Sequence, residues 1–261
     1  MEQVLAYLPA MLLVLCRVSA FFVVAPVFSY RTVPNTFKIG LSVFVALLTF
    51  MAVGTKTVVH FDLTYILLVI REMMVGMLLA FLATLFFSVV QIAGSFMDIQ
   101  IGFGIANVID PMTGASSPML GNFKFMVAIM LFLAFDGHHY FLQAIMNSYS
   151  WVPIDNDLFG KIAGGSVSDF LVRSFITMFT IAFQMSLPVL AAMFLTDVSL
   201  GLLTRVAPQF NIFVVGVPIK ILIGLAVLII LFPSFVSLYR DLFSAMFGSM
   251  QQLLQLLAGT A

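Results

Sequence analysis

The sequence predicts an all-α integral membrane protein, and three observations carry that prediction. Of its 261 residues, 62% are hydrophobic and only 8% are charged, whereas soluble domains carry roughly 25% charged residues. Mean hydropathy is +1.18. The apolar residues gather into runs close to the ~20 residues that cross a ~30 Å hydrocarbon core as helix. No stretch alternates polar and apolar residues as a half-buried strand would.

The first run covers residues 4–28 and holds Cys16, the single cysteine. One cysteine excludes an intramolecular disulfide, and Cys16 reads as a small buried hydrophobe. The opening Met-Glu-Gln lacks a basic segment, so a cleaved signal peptide is not expected. "SYRTVPNTFK" (29–38) carries the turn signal Pro34-Asn35. A second run, 37–53, ends at Gly54, and a third spans 63–92. The fourth, 119–135, stops at Asp136-Gly137. Residues 151–170 form the longest polar stretch, and the whole connection over about 136–172 is expected to be aqueous and to lie on the periplasmic side. A fifth run covers 175–195 and a sixth 212–232. The last, 235–257, repeats Leu238, Leu242, Ala245, Met246, Ser249, Leu253 and Leu256 at spacings of three and four, the pattern of an amphipathic rather than a spanning helix. The expectation is one domain over 1–261, with about six hydrophobic helices and an amphipathic C-terminal one.

Charge narrows the function. Eleven basic and eleven acidic residues give zero net charge, which leaves no electrostatic case for nucleic acid. Short-loop Lys and Arg are nearly balanced, with Arg31, Lys38 and Arg205 on one nominal side against Lys56 and Lys161 on the other. Such a weak orientation signal suits helices held mainly by protein partners. Several apolar runs contain charges well inside them: Arg17, Arg71, Glu72, Lys124 and Lys220. A charge at a bilayer centre costs ~2.5–3.5 kcal/mol or more. Arg17, Arg71 and Glu72 therefore predict internal polar contacts. For Lys124 and Lys220, snorkelling to a helix end serves equally well.

Catalytic patterns are absent. Adjacent residues on a helix do not share a face, so His138-His139 beside Asp136 does not predict a metal site. Ser116-Ser117 lack a His/Asp pattern and no G-x-S-x-G occurs. There is no phosphate loop, and the carboxylates are scattered singly. Neither enzyme activity nor a cofactor is expected. Ala93-Gly94, Gly216 and Gly224 suit close helix packing, and 29 Phe with 17 Met suit irregular apolar surfaces.

"DIQIGFGIANVIDPMTG" (98–114) stands apart, with three glycines, two aspartates and a proline among aliphatic residues. Non-helical backbone at membrane depth is tolerated only where protein buries it or a cavity solvates it. The surrounding segment, about 93–118, is thus expected inside an assembly. Gly102 and Gly104 allow rearrangement, while Phe103, Ile105, Val108 and Ile109 exclude water, as a hydrophobic gate does. Composition fits a movable plug and a static re-entrant loop equally.

Several stretches carry a resemblance: "CRVSAFFVVAPVFSYRTVPNTFKIGLSV" (16–43), "REMMVGMLLAF" (71–81), "AGSFMDIQIGFGIANVIDP" (93–111), "FLAFDGHHYFL" (132–142) and "LGLLTRVAPQFNIFVVGVPIK" (200–220). In order, over nearly the whole chain, they resemble the FliR family of flagellar export proteins and its counterparts in virulence type III secretion. The resemblance implies a FliP-like part fused to a FliQ-like part. It implies a structural subunit of the export gate in the bacterial inner membrane, within the flagellar basal body. FliP, FliQ and FlhB homologues would be its partners, and unfolded rod, hook and filament proteins its cargo. The family's plug would fall on Gly102 to Pro111, which raises the plug above the static loop. A virulence-system gate is the alternative; an independent transporter fits less well, since no internal repeat is visible. In "RVAPQFN" (205–211), Pro208 cannot continue a preceding helix. Arg205, Gln209 and Asn211 around it are expected at a bend facing the cytoplasmic entrance or a partner subunit.

Overall fold

A computed structural model describes residues 2–53, 62–104, 118–154, 158–207 and 212–259. Among them there is no strand. The helices are α1 (Glu2–Val24), α2 (Asn35–Val53), α3 (Leu63–Ile101), α4 (Met119–Ala134), α5 (Gly137–Trp151), α6 (Leu158–Ala163), α7 (Ser166–Val206) and α8 (Ile212–Ala258). Five are long and apolar enough to cross a membrane, and α4 with α5 add a sixth span if counted together.

Three helices run further than the apolar runs suggest. The third run extends nine residues past its expected end, because Gln91, Ser95, Asp98 and Gln100 are all compatible with helix. The stop comes only at Gly102, whose φ of +107° is a conformation that glycine alone adopts cheaply. The break after α3 therefore comes at 102, not 93. α7 continues through Pro188 for 41 residues. α8 continues through Pro218 and Pro233 for 47, so the final amphipathic run is the end of a long helix rather than a separate one. Proline removes one backbone donor, but in apolar helices neighbouring groups absorb that loss. The expected aqueous connection is also largely helical, since α5, α6 and the start of α7 lie within 136–172. α5 has one buried face, formed by Phe141, Ile145, Ser148 and Tyr149.

The chain forms two compact units. The first comprises Met1–Leu85, Asp136–Phe175 and Phe243–Ala261. Its core joins Leu13, Val18 and Phe21 of α1 to Val75 and Leu79 of α3, with Phe141 of α5 and Met246 and Leu253 of α8 also buried. Phe21 meets Phe141 edge-on at 5.6 Å, a favoured aromatic geometry. At Gly76 a Cβ would lie 2.2 Å from the Arg17 carbonyl oxygen. Only glycine permits this approach of α3 to α1.

The second unit comprises Phe86–Phe135 and Ile176–Leu242. Phe86, Phe87, Val90, Met97 and Ile101 of α3 are buried there, as are Phe132 of α4 and Met185, Val189 and Met193 of α7. A Cβ on Gly94 would stand 2.3 Å from the Gly121 Cα, and one on Gly224 2.8 Å from Ile101. The small residues Gly94 and Gly224 thus mark real close approaches, of α4 and α8 to α3. Outside these cores, large apolar side chains such as Phe44, Met51, Leu222, Ile229 and Ile230 are exposed. That is a surface for lipid or protein rather than water.

Candidate functional site

In the first unit the charges within the apolar runs converge. Arg17 of α1 and Glu72 of α3 are completely buried. Arg17 donates from Nε to Glu72 Oε2 at 2.7 Å and from Nη2 to Oε1 at 3.0 Å, a bidentate pair of the strong kind. Its Nη1 donates to Ser148 Oγ at 3.0 Å, and Nη2 also reaches the Val152 carbonyl at 2.9 Å. The guanidinium lies 3.8 Å over the Tyr149 ring. Tyr149 in turn donates its hydroxyl to Glu72 Oε2 at 3.1 Å. Arg71 donates to Glu72 Oε1 at 3.1 Å and to the carbonyls of Pro153 and Ile154.

The local reason is the end of α5. The last carbonyls of a helix lack intrahelical acceptor duty, and the chain after Trp151 turns its carbonyls towards the two arginines. One carboxylate faces two guanidiniums, and these carbonyls accept from the excess positive charge. The cluster ties α1, α3 and α5 together; it contains no group poised for catalysis.

The second unit carries the root of the glycine-rich segment. Asp98, on the last turn of α3, is buried. Its Oδ1 accepts the Leu120 N–H at 3.0 Å, and its Oδ2 accepts those of Leu120 and Gly121 at 3.0 and 3.2 Å. Helix α4 begins after Pro118, which offers no side-chain cap. Asp98 is therefore the cap of α4, supplied from another helix. Its negative charge also suits the positive end of the α4 dipole. Gly102 donates its N–H to the Asp98 carbonyl at 3.2 Å. One residue thus holds both the exit from α3 and the entry to α4. Gly102, Phe103 and Gly104 are half-buried at that exit. Ile105, Val108, Ile109 and Pro111 lie outside the described residues.

Lys124 and Lys220, for which snorkelling was an open reading, differ. Lys124 is buried, with its Nζ 3.9 Å from the Phe235 ring centroid and 3.6 Å from Met97 Sδ. Its ammonium is thus enclosed by apolar groups of the second unit. It lines an apolar cavity of about 390 Å³ with Phe123, Val127, Leu225 and Phe232. Lys220 pairs with Asp197 at 2.7 Å, and Gln100 donates to the same carboxylate at 3.1 Å.

Arg205 is exposed in the last turn of α7, while Pro208, Gln209 and Asn211 lie outside the described residues. At the α5 start, Asp136 adopts a left-handed conformation, φ 57°. The His138 and His139 rings stack at 4.2 Å. Asp136, His138 and His139 each bring a ligand atom within 4.8 Å of the others, so these neighbours do not point apart as helix geometry predicts. They occupy the first turn of α5, directly after the left-handed Asp136.

Sequence reading missed Asp98, Asp197, Gln100, Ser148 and Tyr149. For Asp98 a signal existed: a carboxylate in an apolar helix demands a partner. The partner itself lies 22 residues away and leaves no local trace.

Residues 8–246 match the family of bacterial export proteins, family 1. The chain is 41% identical over 256 residues to the flagellar biosynthetic protein FliR of Bacillus subtilis, covering 98% of each chain. It is 28% identical over 247 residues to FliR of Escherichia coli, covering 95% of this chain and 93% of that one. Against the Yop proteins translocation protein T of Yersinia pestis the identity is 30% over 220 residues, 84% of each chain.

Proposed function

The chain belongs to the bacterial export proteins of family 1, and on that premise we propose that it is the FliR-type channel subunit of a flagellar export gate. It is a membrane-embedded subunit of a type III export apparatus. The finer reading places it in the bacterial inner membrane, within the flagellar basal body. There it assembles with FliP, FliQ and FlhB homologues around a pore for unfolded rod, hook and filament proteins. The flagellar relative, at 41% identity over 98% of the chain, favours that system over a virulence one, where identity is 30% over 84%. Its role is structural rather than enzymatic. The exposed apolar side chains of α2 and α8 supply surface for such partners.

The segment from Gly102 to Pro111 is the plug. The observation that carries this reading is the Asp98 clamp. It ties the last turn of α3 to Leu120 and Gly121 at the start of α4, so that the segment between can rearrange without unseating either helix. Gly102 and Gly104 lower the backbone cost of that rearrangement. Phe103, Ile105, Val108 and Ile109 favour the closed state by ~1.5–3 kcal/mol for each side chain fully buried.

Deleting residues 104–108, or changing Phe103, Ile105 and Val108 to serine, leaves assembly intact and makes the membrane leaky. Ion conductance of cells expressing the complete gate measures the leak. A normally recovered complex in a membrane as tight as wild type overturns the plug. Native mass spectrometry after co-expression with FliP and FliQ homologues tests assembly, and a subunit that stays a discrete monomer overturns it.

A further inference from the structure

Asp136, His138 and His139 are unused by the gate reading, yet they are the described residues in which three metal-ligating groups converge. Ligand atoms on one tetrahedral zinc sit roughly 3.3 Å apart, as the Zn–N distance requires. Small side-chain rotations close the set from the observed 4.8 Å. Two further observations point the same way. His138 Nδ1 is buried without a hydrogen-bond partner, a costly state for a ring nitrogen. Asp136 stands at the N-cap of α5, yet its side chain makes no capping bond. Its carboxylate is thus not committed to capping, although aspartate is among the best capping residues.

We propose that Asp136, His138 and His139 bind one divalent first-row transition-metal ion, with water completing the coordination. Two imidazoles and one carboxylate are the donor set that zinc and its neighbours accept, whereas magnesium and calcium want oxygen alone. Asp136 and His139 are exposed, so the ion has an entry path and room for water. The positive end of α5 opposes a cation, and the Asp136 carboxylate offsets it at the place where the dipole is strongest. Bound metal would fix the left-handed turn at Asp136, and with it the start of α5.

The test uses the full chain without a polyhistidine tag, in the detergent-solubilised assembly in which it is recovered, stripped with chelator. Zn²⁺ is titrated by calorimetry and Co²⁺ by absorbance. Wild type is expected to bind one ion per chain more than Asp136→Asn or His139→Gln, with visible Co²⁺ d–d bands that both variants lose. The affinity loss should exceed the ~10–100-fold typical of losing an outer partner of a ligand. A sizing profile checks that the variants assemble as wild type does. Equal binding by all three proteins, including none, overturns the site.

Discussion

Arg17 and Lys124 are both buried cations in apolar helices, and their surroundings differ in kind. Arg17, in the first unit, has a bidentate carboxylate, a hydroxyl, a carbonyl and an aromatic face. Lys124, in the second, has a thioether and a phenyl ring. Among the described residues no carboxylate pairs with it. The nearby carboxylate in sequence, Asp98, is committed to the N-terminus of α4. The first unit encloses its charges in a network that fastens three helices. The second spends its buried carboxylate on holding the two ends of a glycine-rich segment and leaves a cavity beside its lysine. A buried polar network of this kind rigidifies its surroundings. The proposed plug is rooted in the second unit.

The sharpest break of this comparison is Glu72→Ala. It leaves Arg17 and Arg71 buried without their carboxylate, at a cost of ~3–5 kcal/mol. The steady-state amount of intact protein in membranes should fall severely, and motility with it. Wild-type levels would mean that the network is not what fastens α1, α3 and α5.

Next in size is Gly94→Val. Its added carbons meet the backbone of Gly121, and overpacking of this kind costs ~1–3 kcal/mol. Thermal unfolding in detergent reads the effect. An unchanged midpoint would show that α3 and α4 part easily, contrary to the tight seat described for them.

Asp98→Ala removes a helix cap, worth ~0.5–2 kcal/mol. The comparison predicts a local consequence: proteolytic cleavage between 102 and 118 rises several-fold while the first unit stays protected. Asp98→Asn, which retains an acceptor oxygen, should recover much of the protection. Cleavage spread evenly over the chain would contradict a local clamp.

Smallest, and of opposite sign, is Lys124→Met. Exchanging an unneutralised buried charge for an apolar side chain of similar length is neutral or stabilising, as seen when buried charges are replaced by hydrophobes. Melting in detergent should be unchanged or higher. A loss approaching that of Glu72→Ala would erase the distinction between the two cations.

Part of the site was legible in the chain itself. A membrane charge demands a partner wherever it occurs, so Arg17, Arg71 and Glu72 announced a polar contact by composition alone. The glycine-rich stretch after Asp98 announced a break in the helix, but only the structure put it at Gly102 rather than at 93. Asp136-Gly137 likewise marked the end of the fourth run. These are local facts, set by side-chain chemistry and by the conformations each residue tolerates.

What the sequence determined by itself was therefore the all-helical membrane class, most of the places where helices turn, and which residues require company. Only the tertiary structure decided which company. Asp98 caps a helix 22 residues on, and Ser148 meets Arg17 across 131 positions; no spacing rule reaches so far. Tertiary packing also decided where helices continue. Pro233 reads as a stop in isolation, but α8 passes through it, as prolines do in apolar helices where the freed carbonyl finds another partner. Periodicity separates His138 from His139, whereas the turn at Asp136 brings their rings together. Local propensity is a sum over neighbours in the chain. Partner choice is settled by which distant surfaces bury one another, and a buried charge or unpaired backbone group makes the wrong choice costly.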